Sequence, residues 1–201
     1  MGSADGNPSG GVQLAFGAPQ GPFASVGGSI VLYTGRSLFV REGLAAHEVD
    51  DAGALVVNVA GGYGISVSTS RKVELCPIGG FSLQSGPSLW RECTPLNNHS
   101  ISCSGGADGS ARAFWFGGNI GGVVRSSPAS AVVPFAGGAY VRSRMTAGGL
   151  GATDDYFEFS AGVGLVFNRL TVRPNMSFPI GLEGGRLSAG IEFAFNFGPK
   201  T

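Results

Sequence analysis

At 201 residues the chain has the length of one stable domain. Charged residues make up only 13% of it, against about a quarter in typical soluble domains, and 13 bases balance 13 acids. The balance excludes a basic nucleic-acid surface. Although 43% of residues are apolar, no run reaches the roughly 18 to 20 that a membrane-spanning helix needs.

The opening Met1-Gly2-Ser3-Ala4-Asp5 has neither a positive n-region nor an apolar core, so an export signal, if used, is expected to have been removed. Val12-Gln-Leu-Ala-Phe16 alternates apolar and polar, and Gly17–Pro22 reads as a turn. Residues 1–21 are therefore expected to be an N-terminal periplasmic tail or a short extra strand.

Eight segments of strict period two follow, which is the signature of strands. Phe23–Tyr33 sets Ala24, Val26, Ile30 and Leu32 against Ser25, Gly27 and Ser29. Leu55–Val67 sets Leu55, Val57, Val59, Tyr63, Ile65 and Val67 against Asn58, Ala60, Gly62 and Ser66. Val73–Gln84 opposes Val73, Leu75, Phe81 and Leu83 to Glu74, Cys76, Ser82 and Gln84. In Arg112–Arg125, Phe114, Phe116, Ile120 and Val124 face away from Trp115, Asn119 and Arg125. In Val132–Arg144 the apolar side is taken as Val133, Phe135, Ala139 and Val141, with Pro134, Tyr140, Arg142 and Arg144 opposite. Tyr156–Phe167, Leu170–Ile180 and Leu187–Phe197 close the series with the same alternation, the last placing Ile191, Phe193, Phe195 and Phe197 against Ser188, Glu192 and Asn196.

Spacers between the segments alternate long and short, with 34–54 and 85–111 the longest. In a soluble barrel the second face would carry many Lys and Glu. Here it is mostly Gly, Ser, Ala and Asn, and the only lysines are Lys72 and Lys200. Small residues suit a cramped interior and bulky apolar ones suit lipid, so the apolar face is expected outside.

These eight segments, together with the aromatic-ended run Ile191-Glu-Phe-Ala-Phe-Asn-Phe197, resemble the small eight-stranded outer-membrane barrels related to OmpX and to the transmembrane domain of OmpA. The resemblance implies an all-β, eight-stranded antiparallel up-and-down transmembrane barrel over 22–198, with a C-terminal tail at 199–201. It implies a bacterial outer-membrane location, outer-membrane lipid and lipopolysaccharide as surroundings, and the barrel assembly machinery as a partner in biogenesis.

Within such a barrel Glu74, Arg125, Arg142, Arg144, Glu158, Arg173 and Glu192 are expected to form an interior polar network, since unpaired charges there would be costly. Cys93 and Cys103, in the longest loop, are candidates for a disulfide, with Cys76 left over. No Cys-x-x-Cys or paired-His spacing calls for a metal, and the Gly61-Gly62 and Gly117-Gly118 pairs precede no helix that would make a phosphate loop. No cofactor and no nucleic-acid partner are expected. The first expectation for function is a non-enzymatic structural or surface-interaction role through the long loops. A small pore is the alternative. A lipid-modifying hydrolase using His99, Ser100 and Glu92, with His47 in the first long loop, is a third.

Overall fold

The computed structural model describes residues 9–17, 20–33, 40–41, 44–45, 52–68, 72–89, 92–95, 101–104, 107–127, 129–147, 149–182 and 185–197. Nine strands form the wall: β1 Ser9–Gly17, β2 Gly21–Tyr33, β3 Ala52–Ser68, β4 Val73–Leu89, β5 Ala107–Gly122, β6 Ser130–Ala147, β7 Leu150–Phe167, β8 Leu170–Ile180 and β9 Ser188–Asn196. Sequential neighbours pair antiparallel all the way round, and β9 pairs with β1 to close the ring. The short stretch Arg125–Ser126 adds to the start of β6. Two small hairpin ladders, Val40–Arg41 with Leu44–Ala45 and Glu92–Pro95 with Ile101–Ser104, lie within the two long connections.

The expected count of eight, and the all-antiparallel pairing, are corrected by β1. Of the two expectations for residues 1–21, a tail or a short extra strand, the structure shows the strand, and it is part of the wall. An up-and-down ring with an odd number of strands must bring its first and last strands together pointing the same way. The β1–β9 ladder is accordingly parallel, from Ser9 opposite Gly190 to Ala15 opposite Asn196. The first strand thus starts at the rim that carries the long connections, and the last ends at the rim of short turns.

Turn chemistry at the short rim follows the local sequence. Asn168 takes a left-handed φ of 55° in the two-residue link between β7 and β8, a conformation its short amide side chain tolerates. At the opposite rim Gly149, at φ 82°, occupies the equally tight link between β6 and β7.

The faces separate by size. Val26, Ile30, Leu55, Val59, Phe114, Phe116, Phe157, Phe178 and Ile191 all stand exposed on the outside of the ring. Phe193 and Phe195, on the expected apolar side of the last strand, are 40% and 39% exposed there. Buried on the inside are Ser25, Val31, Ala54, Ala60, Val141, Glu158, Thr171, Ser177, Ser188 and Ala194.

One strand is inverted relative to expectation. In β6 it is Val133, Phe135 and Val141 that point inward, because Phe135 lies opposite Gly162 and Val141 opposite Trp115 on the inner side. Tyr140, Arg142 and Arg144 point outward. The pattern of alternation was legible in this segment. Its direction was not, because this strand supplies bulk to the interior instead of to the outer surface.

Candidate functional site

The interior is lined at three places by a large side chain laid across a glycine of the next strand. Phe23 of β2 covers Gly62, where a Cβ would stand 2.6 Å from the ring. Phe135 covers Gly162 in the same way, at 2.8 Å, and Trp115 lies over Gly80. Asn119 and Asn58 occupy the equivalent space over Gly137 and Gly27. Removing the Cβ leaves a shallow trough, so a long inner side chain can lie flat and fill a narrow lumen without pushing the wall outward. The Trp115 indole nitrogen is buried without a hydrogen-bond partner among the described residues, which marks this ring as a space-filling element.

The polar part of the lining is gathered at the seam. Arg173 of β8 lies opposite Glu192 of β9, and its Nη1 is 3.3 Å from Glu192 Oε1. The same nitrogen reaches across β9 to donate to Gln13 Oε1 on β1 at 3.4 Å. Gln13 Nε2 donates in turn to Ser25 Oγ on β2 at 2.8 Å. One chain of contacts therefore crosses four strands and spans the parallel ladder. Beside it Ser177 and Ser188 share a buried hydrogen bond of 2.8 Å, Asn196 donates to Thr171 Oγ1 at 3.2 Å, and Asn175 donates to the Arg173 carbonyl at 3.1 Å.

On the outside of the same seam Phe16 stacks on Phe197 at 5.5 Å between ring centroids, and the Phe197 amide donates to the Ala15 carbonyl at 2.9 Å. Slanted parallel pairing is slightly less stable per residue than antiparallel pairing, so contacts on both faces reinforce the weakest joint of the ring.

Of the residues expected to share the interior, Glu74, Glu158, Arg173 and Glu192 lie on the inner face, and Arg173 meets Glu192. Glu158 is 5% exposed, while Glu74 sits two positions from Cys76 on β4. Arg125, Arg142 and Arg144 are exposed outside the ring. Their inward placement fails with the inverted face of β6 and, for Arg125, with its position in the short ladder beyond the end of β5. Gln13 and Ser25 were absent from the expected network. Their signal was the alternation of Val12–Phe16, which places Gln13 on the polar face once that stretch is counted as a strand.

In the second long connection Cys93 and Cys103 are direct partners in the Glu92–Ser104 register. Backbones so placed stand about 4.5–5.5 Å apart at Cα, within the span of a disulfide. His47, His99 and Ser100 lie outside the described residues, as do residues 199–201. Among the described residues no group of three metal-ligating side chains converges, and Cys76 is a free thiol on the inner wall.

Comparison with protein-family models, with curated proteins and with solved structures gave no match. The chain is therefore placed by its own geometry, as a closed all-β barrel with a mixed, partly polar interior and a largely apolar exterior.

Proposed function

We propose that the chain is an integral bacterial outer-membrane barrel with a non-enzymatic structural or surface-interaction role, built along the lines of the small OmpA- and OmpX-type barrels but with one more strand. The observation that carries this reading is the outer belt. On β7 it runs from Phe157 to Phe167. That is about 33 Å along a strand, or about 25 Å in height at a tilt of about 40°, the depth of the apolar band on outer-membrane barrels.

Large apolar side chains stand exposed on every wall strand except β6, whose outer face at this level is Tyr140, Gly138, Ala136 and Pro134. At roughly 80 Å² each they total on the order of 2,000 Å², several times the largest apolar patch of a typical soluble monomer. Leaving such an area in water costs on the order of 50 kcal/mol relative to burying it. A closed ring leaves no strand edge unpaired, the condition for placing backbone in hydrocarbon.

In this reading the short turns face the periplasm and the long connections at 34–51 and 90–106 face outward, where binding would reside. Cys93 and Cys103 would clip the second of these. Alkylation of both thiols in the unreduced protein would exclude the clip. The pore alternative has against it the bulk of Phe23, Trp115 and Phe135, which lie within the ring.

Two measurements test the membrane reading together. The protein refolded with phosphatidylcholine vesicles should float with them through a density gradient. In detergent its unboiled form should migrate apart from the boiled form on a gel. A chain that stays in the aqueous fraction, monomeric and water-soluble, overturns the proposal.

A further inference from the structure

Along the wall strands, among the described residues, outward-facing charge is confined to one sector: Asp108 and Arg112 on β5, Arg142 and Arg144 on β6, and Asp155 on β7. All lie toward the rim of long connections. The ladder, not the linear sequence, assembles them. Arg144 is directly opposite Arg112, and Arg142 is flanked by Phe114 on one side and Asp155 on the other.

Two arginines in direct cross-strand opposition repel each other, so the arrangement is unfavourable unless an anion is shared between them. Asp155 is already engaged, since Tyr140 donates its hydroxyl to Asp155 Oδ1 at 2.7 Å and Arg142 Nε stands at 3.8 Å from the same oxygen. Among the described residues the sector holds three arginines, Arg112, Arg142 and Arg144, and two aspartates, Asp108 and Asp155, a net of one positive charge. Asp108 lies four positions further toward the rim than Arg112.

Immediately below the arginines is the densest aromatic row of the outer surface. Tyr140 lies between Phe116 and Phe157, with ring centroids 5.3 and 5.6 Å away. From there down, β5, β6 and β7 present no outward charge as far as Ile120, Pro134 and Phe167. A cationic cluster set one row above a continuous apolar wall matches an amphiphile, with an anionic head above and hydrocarbon below. A soluble anion would leave the aromatic row unused.

We infer that Arg112, Arg142 and Arg144 bind the phosphorylated headgroup of a membrane lipid whose acyl chains lie along the apolar belt of β5–β7. The inference rests on the membrane reading above. Guanidinium groups suit it because each can make two parallel hydrogen bonds to a phosphate.

The test uses the whole chain in vesicles of phosphatidylcholine with a minor fraction of bis-phosphorylated lipid A. Flotation reports insertion. Mass spectrometry after detergent extraction then reports which lipid stays bound. Wild-type protein should retain lipid A well above its fraction in the vesicle. R112A/R144A should float equally but lose that enrichment by about thirtyfold, each arginine contributing about fivefold near an anionic surface. R112K/R144K should keep part of it, and Arg169→Ala, at the opposite rim, should keep all of it.

Equal flotation with no enrichment in the wild type, or full enrichment in R112A/R144A, overturns the site and leaves the membrane reading standing. Complete displacement of lipid A by excess inorganic phosphate assigns the arginine cluster to a free anion and overturns the lipid as occupant. A chain that floats with no vesicle overturns both.

Discussion

The ring has a tall side and a short side, and they are held together by different means. Strands β3 to β7 have 16 to 18 residues each and pair antiparallel along nearly their whole length. Strands β8, β9 and β1 have 11, 9 and 9 residues and contain the parallel ladder. On the tall side backbone pairing is abundant, and the inner side chains are aromatic and amide groups seated over glycine. On the short side, where backbone pairing is briefer and weaker, the lining changes to a charged and hydroxyl chain through Arg173, with an aromatic clamp outside. Side-chain chemistry is concentrated where the ladder contributes least.

The largest test of this contrast is deletion of residues 1–17. The eight remaining strands are an even set, and β2 and β9 run antiparallel, so a smaller closed ring is geometrically conceivable. Loss of the parallel ladder, of Gln13 from the seam chain and of Phe16 from Phe197 should nevertheless abolish the heat-modifiable folded band. Survival of that band would show that β1 is dispensable and that the short side needs no reinforcement.

A smaller effect is expected on the tall side from Gly162→Val. The new side chain meets the Phe135 ring and the backbone at Pro174 and Asn175, which should cost about 1–3 kcal/mol in urea unfolding in detergent. An unchanged midpoint would mean that Phe135 moves freely and that the seating over glycine is incidental. The smallest and most diagnostic test is a double-mutant cycle between Arg173 and Gln13. Both groups are half-buried and partly reached by solvent, so the coupling should fall at about 0.5–1 kcal/mol. Zero coupling would remove the seam chain from the account of closure.

Much of the fold was legible in the sequence because a strand's period is two and a barrel has only two faces. Leu187–Phe197 shows this plainly, since its apolar side is the exposed side throughout. What alternation does not encode is direction. In β6 the apolar members Val133, Phe135 and Val141 point inward, and only the positions opposite them, Gly162 and Trp115, explain why.

The number of strands was obscured for a related reason. Val12–Phe16 carries the right pattern, yet it is only five residues long and adjoins Gly17–Pro22, so the sequence leaves it open between a tail and a short extra strand. The seam chain was half legible. Arg173 and Glu192 were visible as charges on inner faces, but their extension to Gln13 and Ser25 depends on a ladder between opposite ends of the chain. The outer arginine sector depends wholly on register, and its members Arg142 and Arg144 were misplaced with their strand.

The parallel ladder also bears on how the ring comes together. Every other neighbouring pair of strands is adjacent in the chain and can zip from its connecting segment. Ser9 must instead find Gly190. Bringing such distant segments together carries the largest loop-closure entropy in the molecule, and it is rewarded only by short strands. Closure of the cylinder should therefore be the late, rate-limiting event of folding, with an open curved sheet as the species that precedes it.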